Sequence, residues 1–255
     1  MDKIVGRAAA IAIVLLFQAT VASAAELKVF STIGVKSVVE ELGPKFEQAT
    51  GHKLNITWST AALLTKRVQA GEMADALILV RGNIETLLKE HKIVPGTDAT
   101  LGKSSVAVAV KKGAPKPDIS SPDALKKSLL AAKAITYSNP AAGGASGVYF
   151  AKQLDKMGIA EQMKGKTKFP PAGGFAATLL INGEADIAVQ TTPELASVSG
   201  VEVVGPLPGD MAFTAVFAAG VGAGATQPDA AKAFLKFLTT PAAQAAFTAK
   251  GFDPA

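Results

Sequence analysis

The chain has no cysteine. That excludes disulfides, thiolate metal sites, a cysteine nucleophile and a lipid-anchored N-terminal cysteine. Only two histidines are present, His52 and His91, too few for a histidine-rich metal site. Aromatic residues make up 6% of the 255 positions, and the apolar share of 49% leans on alanine. Basic residues exceed acidic ones by only 26 to 21, spread along the chain, and no basic run is interleaved with aromatics. Nucleic-acid binding is therefore disfavoured. Long hydrophobic runs are also missing beyond the N-terminus. What remains is a chain long enough for one large domain or two ordinary ones.

The first 24 residues read as an export signal. Lys3 and Arg7 form a basic start, Ala8 to Phe17 an unbroken apolar stretch, and Ala22-Ser23-Ala24 the small residues a signal peptidase reads. As a helix the ten apolar residues rise about 15 Å, roughly half a hydrocarbon core. The expectation is cleavage after Ala24 and a soluble periplasmic product.

Beyond Ala24, short β-like runs alternate with helical periodicity. Leu27–Ile33 reads as a strand, followed by Val35, Val38, Val39, Leu42 and Phe46 at helical spacing. Pro44 within that run predicts a kink or a break into two helices. Strands are predicted at 54–58, 76–80, 134–138 and 187–190, and helices at 61–70, 84–91, 147–157 and 175–182. A helix start is read at Ser121-Pro122-Asp123. This alternation implies an α/β fold with parallel sheets covered on both faces. The stretch Lys111 to Pro117 has a linker's composition. An internal echo pairs Gly71-Glu72-Met73-Ala74-Asp75 with Gly183-Glu184-Ala185-Asp186, each ahead of a buried strand.

Hydroxyl residues fall at four strand-to-helix junctions. Ser31-Thr32, Ser59-Thr60 and Thr191-Thr192 each follow a strand, and Ser146 follows the Gly143-Gly144-Ala145 loop. In an open α/β sheet such junctions lie at the carboxyl edge, where free N–H groups and the helix dipole attract an anion. Gly173-Gly174 adds a fifth helix start at which backbone can approach a ligand. Each hydroxyl is also an ordinary N-cap; four of them split between two lobes define a cleft. No G-x-S-x-G elbow and no phosphate loop occur, and His52, in a turn, and His91, near a helix end, read as solvated surface groups. Trp58 reads as core or cleft wall. The pattern argues for binding rather than turnover.

The sequence resembles the periplasmic molybdate-binding-protein-like family, the solute-binding proteins of ABC importers. The resemblance rests on Ala70 to Asp75, on Asn139-Pro140 through Ser146-Gly147-Val148-Tyr149, and on Ala233-Phe234-Leu235-Lys236-Phe237-Leu238-Thr239-Thr240-Pro241 through Gly251-Phe252. It implies a two-lobe fold with crossovers near 104–110 and 213–221. Lobe I would be residues 25–105 and 215–255, and lobe II residues 106–214. It also implies a monomer that delivers a small anion to an ABC permease in the inner membrane, with no metal or cofactor. In molybdate binders serines serve the first two junctions, backbone the next two and a tyrosine the last. The corresponding positions are Gly34 (or Ser31-Thr32), Thr60-Ala61-Ala62, Ser146, Gly173 and Thr191. Arg81 stands where an acid is usual in that family. A guanidinium there suits a carboxylate, so a molybdate-like oxyanion and a small organic carboxylate are both open. An exported enzyme and a ligand-sensing domain on the same fold are the rival functions.

Overall fold

The computed structural model describes residues 24–171 and 173–254. The segment read as an export signal lies outside the described residues, save for Ala24. Among the described residues no helix is long and apolar enough to cross a membrane.

Nine strands form one curled sheet: β1 Glu26–Thr32, β2 Lys53–Ser59, β3 Ala76–Val80, β4 Ala99–Lys111, β5 Ile135–Tyr137, β6 Thr167–Lys168, β7 Ile187–Thr191, β8 Val201–Pro206 and β9 Thr214–Val221. Their order is β2-β1-β3-β9-β4-β7-β5-β6, with β8 paired to β4. Among the described residues ten α-helices cover it: α1 Lys36–Thr50, α2 Ala61–Gln69, α3 Arg81–Lys89, α4 Pro122–Ala131, α5 Ala145–Lys156, α6 Ala160–Lys164, α7 Ala177–Ile181, α8 Thr192–Ala196, α9 Pro228–Leu238 and α10 Pro241–Ala249.

The expected parallel pairing is found at the two ends of the sheet, β2-β1-β3 and β7-β5-β6. The middle is antiparallel, because β4 and β9 run as long crossover strands. β4 pairs with β9 through Ala99 to Ser105, then with β7 and β8 from Val106 onward. The two crossovers are thus hydrogen-bonded strands rather than loose linkers. Each half of the sheet is buried on both faces, which is why its strands read as continuous apolar runs. In β1, Leu27 and Val29 join one cluster with α1 and α9, while Phe30 joins another under α2 and α3. In β4, Val106 and Val108 face one side of the second half and Ala107 and Ala109 the other.

Two local expectations are corrected. Pro44 does not break α1, which runs unbroken over fifteen residues. Pro44 and Glu40 lie on its exposed face, where water can take the carbonyl that proline leaves unbonded. His52 is buried rather than solvated: its Nδ1 accepts the Ala25 N–H at 3.1 Å and its ring stands 6.0 Å from that of Phe46. Trp58 is half-buried on edge strand β2, against the first core and under the Lys36 ammonium. The C-terminal helices return to the first half, where Phe234, Leu235, Leu238, Phe247 and Phe252 complete the core built on β1 and α1.

Candidate functional site

The carboxyl ends of β1, β2, β5 and β7 converge on a small cavity between the two halves of the sheet, with a volume of about 30 Å³. From the first half it is lined by Thr32, Ile33, Gly34, Thr60, Ala61 and Val80, with Ala215 and Phe217 on β9. From the second come Ser138, Gly144, Ala145, Ser146, Thr191 and Glu194. The halves close on each other tightly. The Thr60 hydroxyl donates across the cleft to the Ala142 carbonyl while accepting the Leu63 N–H as the cap of α2. A Cβ at Gly143 would overlap that of Ala62, so glycine is what lets the halves meet.

Of the positions read from sequence, Thr32, Gly34, Thr60, Ala61, Ser146 and Thr191 lie in the cavity wall. Five do not. Ser31 is buried with its hydroxyl on the Thr32 carbonyl, and Ser59 is the half-buried last residue of β2. Thr192 bonds the Ser105 carbonyl at 3.3 Å. Gly173 sits at a left-handed φ of 77° near Ile33. Arg81 opens α3 and donates to Asp98 Oδ2 at 2.7 Å and Thr100 Oγ1 at 2.6 Å.

The second half supplies a polar chain absent from the reading above. Gln190, fully buried, donates to Ser138 Oγ at 2.8 Å and accepts the Ala176 N–H at 2.6 Å. The Ser146 hydroxyl stands 3.4 Å from the same Ser138 oxygen. Glu194 is 5% exposed, and its Oε2 accepts both the Thr191 N–H (3.1 Å) and the Thr191 hydroxyl (2.6 Å). Its Oε1 has one longer partner, Gln190 Nε2 at 3.3 Å. Burial pushes the Glu194 carboxyl up from the ordinary range, and the two Thr191 bonds offset this only in part. The spacing Thr191-x-x-Glu194 is a capping-box signature, and that signal could have found it.

Gly34 has a physical reason. Its Cα rests against the Phe217 ring, and any side chain would run into it. Here the wall presents an aromatic edge. Ile33, Val80 and Ala215 extend the apolar share of the wall. Among the described residues no group of three or more His, Cys, Asp or Glu is arranged to hold a metal.

The sequence model of the family described as "Bacterial extracellular solute-binding protein" matches residues 27–253. The chain belongs to that family. A relative from a Pseudomonas species, named aconitate isomerase, is 31% identical over 234 residues, covering 89% of this chain and 87% of its own. Among solved structures, the Azotobacter vinelandii periplasmic molybdate-binding protein superposes with a TM-score of 0.73 at 18% identity, over 90% of this chain and 99% of that one. The sulfate-binding protein SubI of Mycobacterium tuberculosis gives 0.68 at 22% identity, over 91% and 87%. These likenesses establish the two-lobe binding-protein fold of this family member.

Proposed function

We propose that this solute-binding protein captures a small organic polycarboxylate of the aconitate type between its two lobes, outside the cytoplasm, and hands it to an ABC permease as a monomer. In this reading Met1 to Ala24 are removed on export, lobe I comprises residues 25–105 and 215–255, and lobe II residues 106–214. The observation that carries the ligand class is the Gly34–Phe217 contact in the cavity wall. A tetrahedral oxyanion needs donors all round, whereas a carboxylate on a carbon skeleton needs donors at its ends and hydrocarbon along its length. The Ser146 hydroxyl, with the free N–H groups opening α2 and α5, supplies the donors. The name of the Pseudomonas relative supports a tricarboxylate.

Thermal shift with trans-aconitate, cis-aconitate, citrate, sulfate and molybdate tests the reading. A ligand at 100 times its Kd stabilises by about 2.7 kcal/mol, which for a chain this size raises Tm by about 5–10 °C. That rise is expected with an aconitate and not with molybdate; the reverse overturns the ligand class. Intact mass of the exported protein should begin at Ala25. Loss of ligand uptake on deleting an adjacent permease gene tests delivery.

A further inference from the structure

We propose that the cleft does more than hold its ligand: Glu194 is an acid–base group that moves a proton, and with it a carbon–carbon double bond, along an unsaturated polycarboxylate. The inference rests on the organic-carboxylate reading and adds turnover to it.

Glu194 is the one titratable side chain in the cavity wall among the described residues. A carboxyl facing a space meant for anions is costly there, since an ionised one repels the ligand. As the capping residue of a five-residue helix it has no need to be buried, because a capping-box glutamate works equally well at the surface. Here it is nearly fully buried and held in one orientation. Thr191 fixes Oε2 with two hydrogen bonds, and Gln190, itself locked by Ser138 and Ala176, reaches Oε1 only at 3.3 Å. Oε1 is therefore the corner with capacity to spare. Burial pushes the carboxyl upward, the direction in which general acid–base carboxyls are tuned.

The step balances without redox partner or metal. Glu194 as carboxylate takes a proton from the CH₂ that lies between a carboxylate and the C=C of the ligand. The C–H bond breaks, and its electron pair becomes a new C=C to the neighbouring carbon. The old C=C pair moves to the far carbon, which takes the proton back from Glu194. The ligand keeps its formula and Glu194 returns to its starting state. In aconitate the two ends of the allylic unit each bear a CH and a carboxylate, so the shift restores the same skeleton and sets the double-bond geometry anew. Negative charge that builds on the ligand carboxylates in between meets the Ser146 hydroxyl and the unbonded N–H groups at the start of α5, a twelve-residue helix.

The test is wild-type protein with trans-aconitate in D₂O, followed by proton NMR. Formation of cis-aconitate with deuterium entering the methylene supports the proposal. Glu194→Gln should still bind trans-aconitate in thermal shift but lose conversion by at least about 100-fold, the usual scale for removing a general acid–base. Glu194→Asp, which keeps the carboxyl at shorter reach, should retain part of it. Wild type that binds trans-aconitate without conversion or deuterium uptake overturns the proposal and leaves capture standing. Conversion undiminished in Glu194→Gln overturns the residue's role. If neither aconitate isomer binds wild type, both this proposal and the ligand class fall. Should Glu194→Gln not fold, deuterium uptake by wild type against Glu194→Asp decides alone.

Discussion

The two halves of the molecule make the same turn and load it differently. In both, a helix ends on a left-handed glycine, Gly71 after α2 and Gly183 after α7. The N–H of each glycine bonds three residues back, to Val68 or Leu180, and the next residue, Glu72 or Glu184, bonds five back, to Arg67 or Leu179. This is one helix-ending motif used twice. Each turn then delivers an aspartate, Asp75 or Asp186, whose carboxylate accepts backbone N–H groups at the start of the neighbouring strand or just before it. There the likeness ends. Asp186 is exposed and holds only Lys133 and Ala134. Asp75 is buried and also accepts the N–H groups of Thr226 and Gln227 and the Thr226 hydroxyl, anchoring the chain as it enters α9. Glu72 grips Arg67 through two bonds and Lys28 through a third, which hold its carboxyl down to about 2; Glu184 takes only Asn182. The half that must recover its last segment from the far end of the chain has the heavier fastening.

The largest expected effect follows from that asymmetry. Asp75→Ala takes the carboxylate from three backbone N–H groups, Lys28, Thr226 and Gln227, and should cost about 3 kcal/mol, read by urea unfolding. Asp186→Ala should cost about 1 kcal/mol; equal costs would dissolve the comparison. Next comes the contact between the halves. Thr60→Val removes the hydroxyl donated to Ala142 and should weaken ligand affinity about tenfold, near 1.4 kcal/mol, by isothermal titration. The fold should survive. A gentler effect is pH-dependent. Since the folded Glu194 carboxyl is raised by burial, the stability it confers is complete below the ordinary carboxylate range and is lost as pH rises through its folded value. Wild type should therefore lose stability relative to Glu194→Gln across that rise, with melting curves as the readout. The smallest effect belongs to Arg81. Both its partners, Asp98 and Thr100, lie in the first half and outside the cavity wall, so Arg81→Ala should change affinity less than about twofold and stability by less than about 1 kcal/mol.

Local chemistry was legible in the sequence; distant packing was not. β3 runs over Ala76–Val80 as predicted, because a glycine stop and an unbroken apolar run mark it without outside help. The repeated Gly-Glu…Ala-Asp turn was visible for the same reason. The places of Thr60 and Ser146 in the cavity wall were legible because a hydroxyl at a strand-to-helix junction is a local signal. Phe217 was not, since it stands over 180 positions from the Gly34 it covers, and no periodicity links them. His52 was misread because a turn sequence does not reveal that the first described strand begins beside it. β8 escaped because its half-buried VEVVGP run ends in glycine and proline, which read as loop. Arg81 was drawn toward the ligand by its place at a strand end, although Asp98 and Thr100 had prior claim.

The antiparallel pairing of β3 with β9 also sets an order in time. β3 is complete by residue 80, yet the strand that covers its open edge is Thr214–Val221. During synthesis the first half waits with an unpaired apolar edge until more than 130 further residues have followed. The second half, whose strands β5, β6, β7 and β8 are contiguous with the end of β4, can settle in the meantime. Pairings of such sequence separation are slow to form, and a waiting edge is a site for aggregation. The last forty residues are thus the clasp of the molecule, and a chain stopped short of residue 214 would have a settled second half beside a first half that cannot close.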